Sequence, residues 1–118
     1  MVEERDLVEL RYASLTGVTV GIGSLSLVFA SGAQILIQCA FECAEEGVRR
    51  CGHGEDVNTS PVLFGYLNHM VESAVMDSDA ALSLRFDDRK LLKIVPERNG
   101  LESYVITTRH GICPIAVG

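Results

Sequence analysis

The residues best suited to chemistry in this sequence are three cysteines and a histidine that lie close together. They form a C-x3-C-x7-C-x-H run made of Cys39, Cys43, Cys51 and His53. Thiolates and imidazole are zinc ligands, but the paired spacings of known zinc modules are absent. A cysteine at the end of a strand, as predicted for Cys39, usually packs as a small hydrophobe. We therefore expect no metal and no other cofactor. A small β-barrel enzyme or metal-binding module built on these four residues is kept as an alternative hypothesis.

Nucleophilic catalysis would need a cysteine or serine held beside a histidine. The histidines are His53, His69 and His110, and two of them fall in predicted turns or loops. No Gly-x-Ser-x-Gly elbow frames a nucleophile. The glycines of residues 17–23 precede a predicted strand and lack the Lys-Ser/Thr of a phosphate loop, so they indicate a hairpin. The sequence predicts no catalytic residues and a protein that is not an enzyme.

The N-terminal residues are acidic and lack the basic start and apolar run of a signal peptide. The longest mostly apolar stretch, residues 18–30, is too short to cross a bilayer and is interrupted by glycine and serine. We therefore expect a cytoplasmic protein without a membrane partner. Reduced thiols are the rule in that compartment, so all four cysteines, including Cys113, are expected to be reduced. A Cys43–Cys51 disulfide would be unusual there.

Charge is distributed unevenly along the chain. The net charge of −6 disfavours a nucleic-acid partner, which would require clustered Lys and Arg. Residues 42–88 carry ten acids and three bases, whereas residues 89–118 carry two acids and five bases. The acidic stretch is either a solvated surface that maintains solubility or an electrostatic match for a basic protein. The second interpretation predicts these partner-binding residues: Glu42, Glu45, Glu46, Glu55, Asp56, Asp77 and Asp79, with Phe41 and Tyr66 as anchors.

Two segments of the chain resemble each other. Residues 25–29 (LSLVF) align with residues 82–86 (LSLRF), and the next apolar pair, at 35 and 37, aligns with the pair at 92 and 94. Alternation with a period of two predicts strands with one buried face. The pattern indicates a single domain, residues 1–118, with an internal duplication of about 15–38 and 67–96.

The predicted fold is mainly β. It consists of two related three-stranded antiparallel meanders that form a sandwich or half-open barrel, with one or two short helices between them. The residues expected to face the core are Leu25, Leu27, Phe29, Ile35, Ile37, Leu82, Leu84, Phe86, Leu92 and Ile94. Residues 41–66 are expected to form an irregular or helical insert, with one short helix in 41–50 and another beginning at Ser60-Pro61. Residues 4–12 fit either a strand or a helical turn, and Pro114 is expected on an edge strand.

The repeated pattern Leu-x-Leu-x-Phe, with a turn and a second apolar pair, is followed by Glu102-Ser103-Tyr104. It resembles small bacterial domains found beside polymorphic toxins, which look like immunity proteins of contact-dependent growth inhibition systems. The resemblance covers roughly residues 15–113. This chain departs from the pattern at Arg89, where a glycine is usual, and at Tyr104, where a tryptophan is common.

The resemblance implies an immunity protein that binds and neutralises a cognate toxin domain, a basic nuclease, in the cytosol of the producing cell. Such a function would rest on association with a protein partner and would need no chemistry of its own. A structural or homo-oligomeric domain is the remaining alternative.

Overall fold

The computed structural model describes residues 2–118, which form ten β-strands, two short α-helices and one 3₁₀ turn. The elements in chain order are α1 (Glu4–Val8), β1 (Leu15–Gly21), β2 (Ser24–Phe29), β3 (Gln34–Ile37), β4 (Ala40–Glu45), β5 (Val48–His53), the 3₁₀ turn (Val57–Thr59), α2 (Pro61–Phe64), β6 (Val71–Met76), β7 (Leu82–Phe86), β8 (Lys90–Val95), β9 (Glu102–Thr108) and β10 (Gly111–Ala116). No helix within these residues has the length and apolar character needed to span a membrane.

The ten strands of residues 2–118 make two antiparallel five-stranded sheets. Sheet 1 has the order β1-β2-β3-β9-β10, and sheet 2 has the order β5-β4-β8-β7-β6. Each sheet joins a three-stranded meander to a hairpin from the other half of the chain: β9–β10 extends the first meander, and β4–β5 extends the second. The sheets pack together as a β-sandwich. The predicted fold class is confirmed.

The two meanders share details beyond strand order. The pairing register shifts at Thr16 near the start of β1, and it shifts again at Glu72 near the start of β6. An extra residue at these positions bends the strand. An antiparallel bridge between Ser14 and Met70 joins the two starts. These features are what a duplicated unit would produce, and the duplication itself stays a prediction.

The core lies between the sheets and contains all ten residues that were predicted to face it. Each of them is at most 2% exposed. The period-two pattern therefore gave the buried face of both meanders correctly. Pro114 lies in β10, an edge strand, as predicted, and residues 4–8 take the helical of the two conformations considered for the N-terminal segment.

The insert differs from its prediction in its first half. Residues 40–53 form the β4–β5 hairpin, so the short helix predicted for 41–50 is wrong. Phe41 and Cys43 face the core, and the residues on either side of them point outward. This alternation has the period of two that is typical of a strand. Gly47, at φ 81°, occupies the hairpin turn, where a positive φ is required. The second half contains α2, which begins at Pro61 as predicted.

The turn between β7 and β8 holds two residues in the left-handed region, Asp88 at φ 59° and Arg89 at φ 60°. That conformation costs an L-residue about 1–2 kcal/mol, and glycine avoids the cost. The corresponding turn of the first meander has Gly32 at φ 93°. We expect Arg89→Gly to raise the free energy of unfolding by about 1 kcal/mol, measured by urea denaturation. Arg85→Gly, within β7, should lower the free energy of unfolding instead. An Arg89→Gly protein with the same free energy of unfolding as wild type would contradict the strain at this turn.

Candidate functional site

The structure separates the four residues of the C-x3-C-x7-C-x-H run. Cys39 and Cys43 are buried, whereas Cys51 is exposed. In the β4–β5 ladder Cys51 is paired with Glu42, the residue before Cys43. Paired residues point to the same face and consecutive residues to opposite faces, so the thiols of Cys43 and Cys51 lie on opposite faces of sheet 2. This geometry does not allow a Cys43–Cys51 disulfide, and Cys39, Cys43 and Cys51 are free thiols. Within residues 2–118, no three His, Cys, Asp or Glu side chains are grouped to hold a metal ion.

Burial raises the pKa of three of the thiols. It raises the pKa of Cys39 to about 12, with a further contribution from the negative charge of Glu97. Burial also raises the pKa of Cys43 and of Cys113. The thiolate is the reactive form of cysteine. The surroundings of these three residues therefore disfavour the thiolate.

His53 links two loops through both nitrogens of its ring. Nε2 lies 2.5 Å from Oε1 of Glu97, and Nδ1 accepts a hydrogen bond from the backbone N–H of Glu55 at 3.1 Å. Because Nδ1 accepts, the proton of the neutral ring is on Nε2, which donates to Glu97. With both nitrogens engaged, the imidazole fixes the relative position of the loops and is not a free base.

His69 forms a second imidazole–carboxylate pair. Its Nδ1 lies 2.5 Å from Oδ1 of Asp87, whose Oδ2 accepts the backbone N–H of Met70 at 3.2 Å. The hydrogen bond from His69 holds the pKa of Asp87 below its usual range. Such a pair can orient a catalytic base, but a hydroxyl or thiol must then contact the other nitrogen. Within residues 2–118, Nε2 of His69 makes no hydrogen bond to a hydroxyl or thiol.

An open cavity of 420 Å³ lies between the β4–β5 hairpin and α2, with Tyr66 and Lys90 in its wall. The Nζ atom of Lys90 lies 2.7 Å from Oε2 of Glu45 and 5.7 Å from the centre of the Tyr66 ring. The hydroxyl of Tyr66 donates to the carbonyl of Leu91 at 2.5 Å. These polar groups satisfy one another, so they stabilise the join between hairpin and helix and do not point to a bound ligand.

The predicted partner-binding acids lie in three separate places. Glu42 projects from the outer face of sheet 2, where it is paired with Cys51 and Lys93. Glu45 and Glu46 lie at the far end of β4, about 17 Å along the strand from its start. The other four acids lie in loops near the start of β4: Glu55, Asp56, Asp77 and Asp79. The predicted single surface over residues 42–88 is therefore divided.

The two predicted apolar anchors are not at the surface. Phe41 is 0% exposed and Tyr66 is 4% exposed, and both belong to the core. Neither side chain can contact a partner without disrupting the sandwich. The partner-binding role predicted for these two residues is therefore set aside.

Two contacts join the loops near the start of β4 into one surface. His53 holds Glu97, and Nη2 of Arg98 lies 2.9 Å from Oδ1 of Asp79. The loops 53–56, 77–81 and 96–99 are thereby linked. We call this surface the acidic end, defined by Glu55, Asp56, Asp77, Asp79 and Glu97. With Arg98 included, it carries a net charge of −4 when His53 is neutral.

Exposed apolar side chains flank the acidic end. Val57 follows Asp56 in the 3₁₀ turn, and Leu101 follows the 96–99 loop. The backbone N–H of Leu101 donates to Asn99, which in turn donates to Glu97. Four of the five acids are among the residues predicted from the sequence. Glu97 is not, because residue 97 lies in the basic C-terminal part of the chain and reaches this surface only through the fold.

Comparison with protein-family models, with curated proteins and with solved structures finds no match. The resemblance to immunity domains thus stays a prediction.

The outer face of sheet 2 carries positive charge that the sequence analysis missed. Arg49, Arg85 and Lys93 are exposed and point outward from β5, β7 and β8. The first two lie inside the acidic stretch of the sequence. Counting charge along the chain hid them, because consecutive residues of a strand point to opposite faces. Together with Glu42, which projects from the same face, they give the outer face of sheet 2 both signs of charge, so the fold and not sequence position decides which charges are neighbours.

Proposed function

We propose that this protein acts by binding another protein, and that the acidic end docks a basic partner. The observation that carries the proposal is the convergence of five carboxylates from three linked loops, next to exposed apolar side chains at Val57 and Leu101. Apolar anchors surrounded by a polar rim are typical of protein interfaces. Clustered charge accelerates the encounter with a partner of opposite sign.

The partner we propose is a toxin domain of the nuclease type, neutralised in the cytosol of the cell that produces both proteins. A nuclease binds a polyanion and therefore needs basic residues at its substrate surface. An acidic protein can cover such a surface without any chemistry of its own. Support also comes from the resemblance of the repeated pattern to immunity domains.

A paired charge reversal tests the docking surface. Glu55→Lys with Asp79→Lys changes two exposed side chains and removes the net charge of the acidic end. We expect the association rate with the toxin encoded by the neighbouring gene to fall about tenfold or more at low salt, with little change in the dissociation rate. Stopped-flow or surface plasmon resonance at several salt concentrations gives both rates.

Glu46→Lys with Glu72→Lys is the matched control, since it makes the same change in total charge at exposed positions away from the acidic end. It should retain most of the association rate. Equal losses of association rate in the two variants would show that only the net charge of the protein matters, and that the acidic end is not the docking site. If the neighbouring toxin does not bind, or if the protein fails to protect cells that express it, the proposed function is wrong.

A further inference from the structure

The first meander carries no charge. Residues 12–41 contain no Asp, Glu, Lys, Arg or His, and all ten basic and sixteen acidic residues lie elsewhere in the chain. This stretch includes β1, which is an edge strand of sheet 1. At the start of β1, the N–H and C=O of Leu15 bond to His69 and Asn68. Beyond it, residues 17–21 pair with β2 alone, and exposure increases toward the end of the strand.

The other edge strands within residues 2–118 have features that discourage pairing with another chain. Pro114 lies in β10, and Arg49 and Arg50 lie in β5. The edge of β6 is covered by the N-terminal segment, where Arg11 donates to the carbonyl of Ala74 and the backbone of Tyr12 donates to that of Val71. None of these features protects residues 17–21 of β1.

The open part of β1 is a palindrome, Gly17-Val18-Thr19-Val20-Gly21, centred on Thr19. Antiparallel pairing with a second copy about a two-fold axis at Thr19 would place the two threonines opposite each other and each Val18 opposite a Val20. Gly21 and Ser24 close the Ile22–Gly23 turn, so the backbone groups of every second residue back from Gly21 bond to β2. The backbone N–H and C=O groups of Val18 and Val20 therefore point toward the open edge. Those are the groups that this register requires.

We propose that two copies of this chain associate through β1, so that their two sheets 1 become one continuous ten-stranded sheet. A two-fold axis at Thr19 makes the interface isologous, and the palindrome pairs β-branched residues with their own kind, valine with valine and threonine with threonine. With a net charge of −6, two copies repel each other over most of their surface, and the uncharged β1 is a place where they can approach. Strand pairing alone buries less area than a standard interface, so association is weak and requires high protein concentration.

Sedimentation velocity from micromolar to millimolar concentration tests the proposal. We expect a species of twice the monomer mass of 12.8 kDa to increase with concentration. Thr19→Lys or Thr19→Glu places like charges opposite each other at the axis and should weaken self-association about tenfold or more. Ile112→Lys adds the same charge at an exposed position on the other edge of sheet 1 and should leave self-association unchanged.

An equal mixture of the Thr19→Lys and Thr19→Glu proteins gives the sharpest result. It should restore the dimer, because lysine then opposes glutamate across an axis that passes through residue 19. Circular dichroism of each variant verifies that the sheet is intact. A wild-type protein that stays monomeric throughout, a mixture that does not recover, or an equal loss in Ile112→Lys would each overturn the proposal.

Discussion

Replacing Gly54 by alanine should destabilise the protein by about 3 kcal/mol or more. A Cβ atom at this position would lie 2.0 Å from the carbonyl oxygen of Ile37. That oxygen belongs to the backbone and cannot rotate away, so the loop after β5 or the connection after β3 would have to move. Urea denaturation gives the loss of stability. Because Gly54 lies between His53 and Glu55, we also expect the acidic end to be distorted.

Gly65→Ala is the matched control for this substitution. Gly65 has φ −66°, and its nearest neighbouring atom, Nζ of Lys90, lies 3.9 Å from an added Cβ. A methyl group there is tolerated and reduces the entropy of the unfolded chain, so stability should stay the same or rise by about 0.5 kcal/mol. A Gly54→Ala protein as stable as wild type would contradict the close approach to Ile37.

Truncating Phe86 to alanine should cost about 3–5 kcal/mol. The side chain is 0% exposed, and its ring meets the ring of Tyr66 edge to face, with the centres 5.0 Å apart. The loss combines the transfer of the ring from the core with the cavity that it leaves. Phe64→Ala makes the same chemical change at a residue that is 46% exposed, and it should cost less than about 1 kcal/mol. Similar losses in the two variants would contradict the assignment of Phe86 to the core.

The strands of the two meanders could be predicted because apolar residues alternate with polar ones, and the apolar residues are the buried ones. In Leu82-Ser83-Leu84-Arg85-Phe86 every second residue is apolar, and those three residues are fully buried. A period of two is sufficient to identify such a strand and its inner face. The β4–β5 hairpin was missed because its glutamates and alanines favour helix locally, while the apolar alternation is short. Pairing with β8 decides its conformation.

The candidate site was harder to predict than the fold, since it depends on contacts between distant parts of the chain. Asp79 and Arg98 are far apart in sequence and meet only because the 96–99 loop passes the end of β6 and β7. Cys43 and Cys51 are close in sequence, yet the hairpin register places them on opposite faces. Proximity along the chain therefore misled both the charge analysis and the metal hypothesis.

The exchange of hairpins between the sheets determines how this chain can fold. Sheet 1 is completed by the pairing of β3 with β9, in which Ile35 meets Ile106 across about seventy residues of intervening chain. Until β9 is synthesised, the uncharged edge of β3 has no partner, and the first meander can pair wrongly with other chains. Contacts so distant in sequence form slowly. Because each sheet takes a hairpin from the other half of the chain, we expect neither half of the sandwich to fold alone.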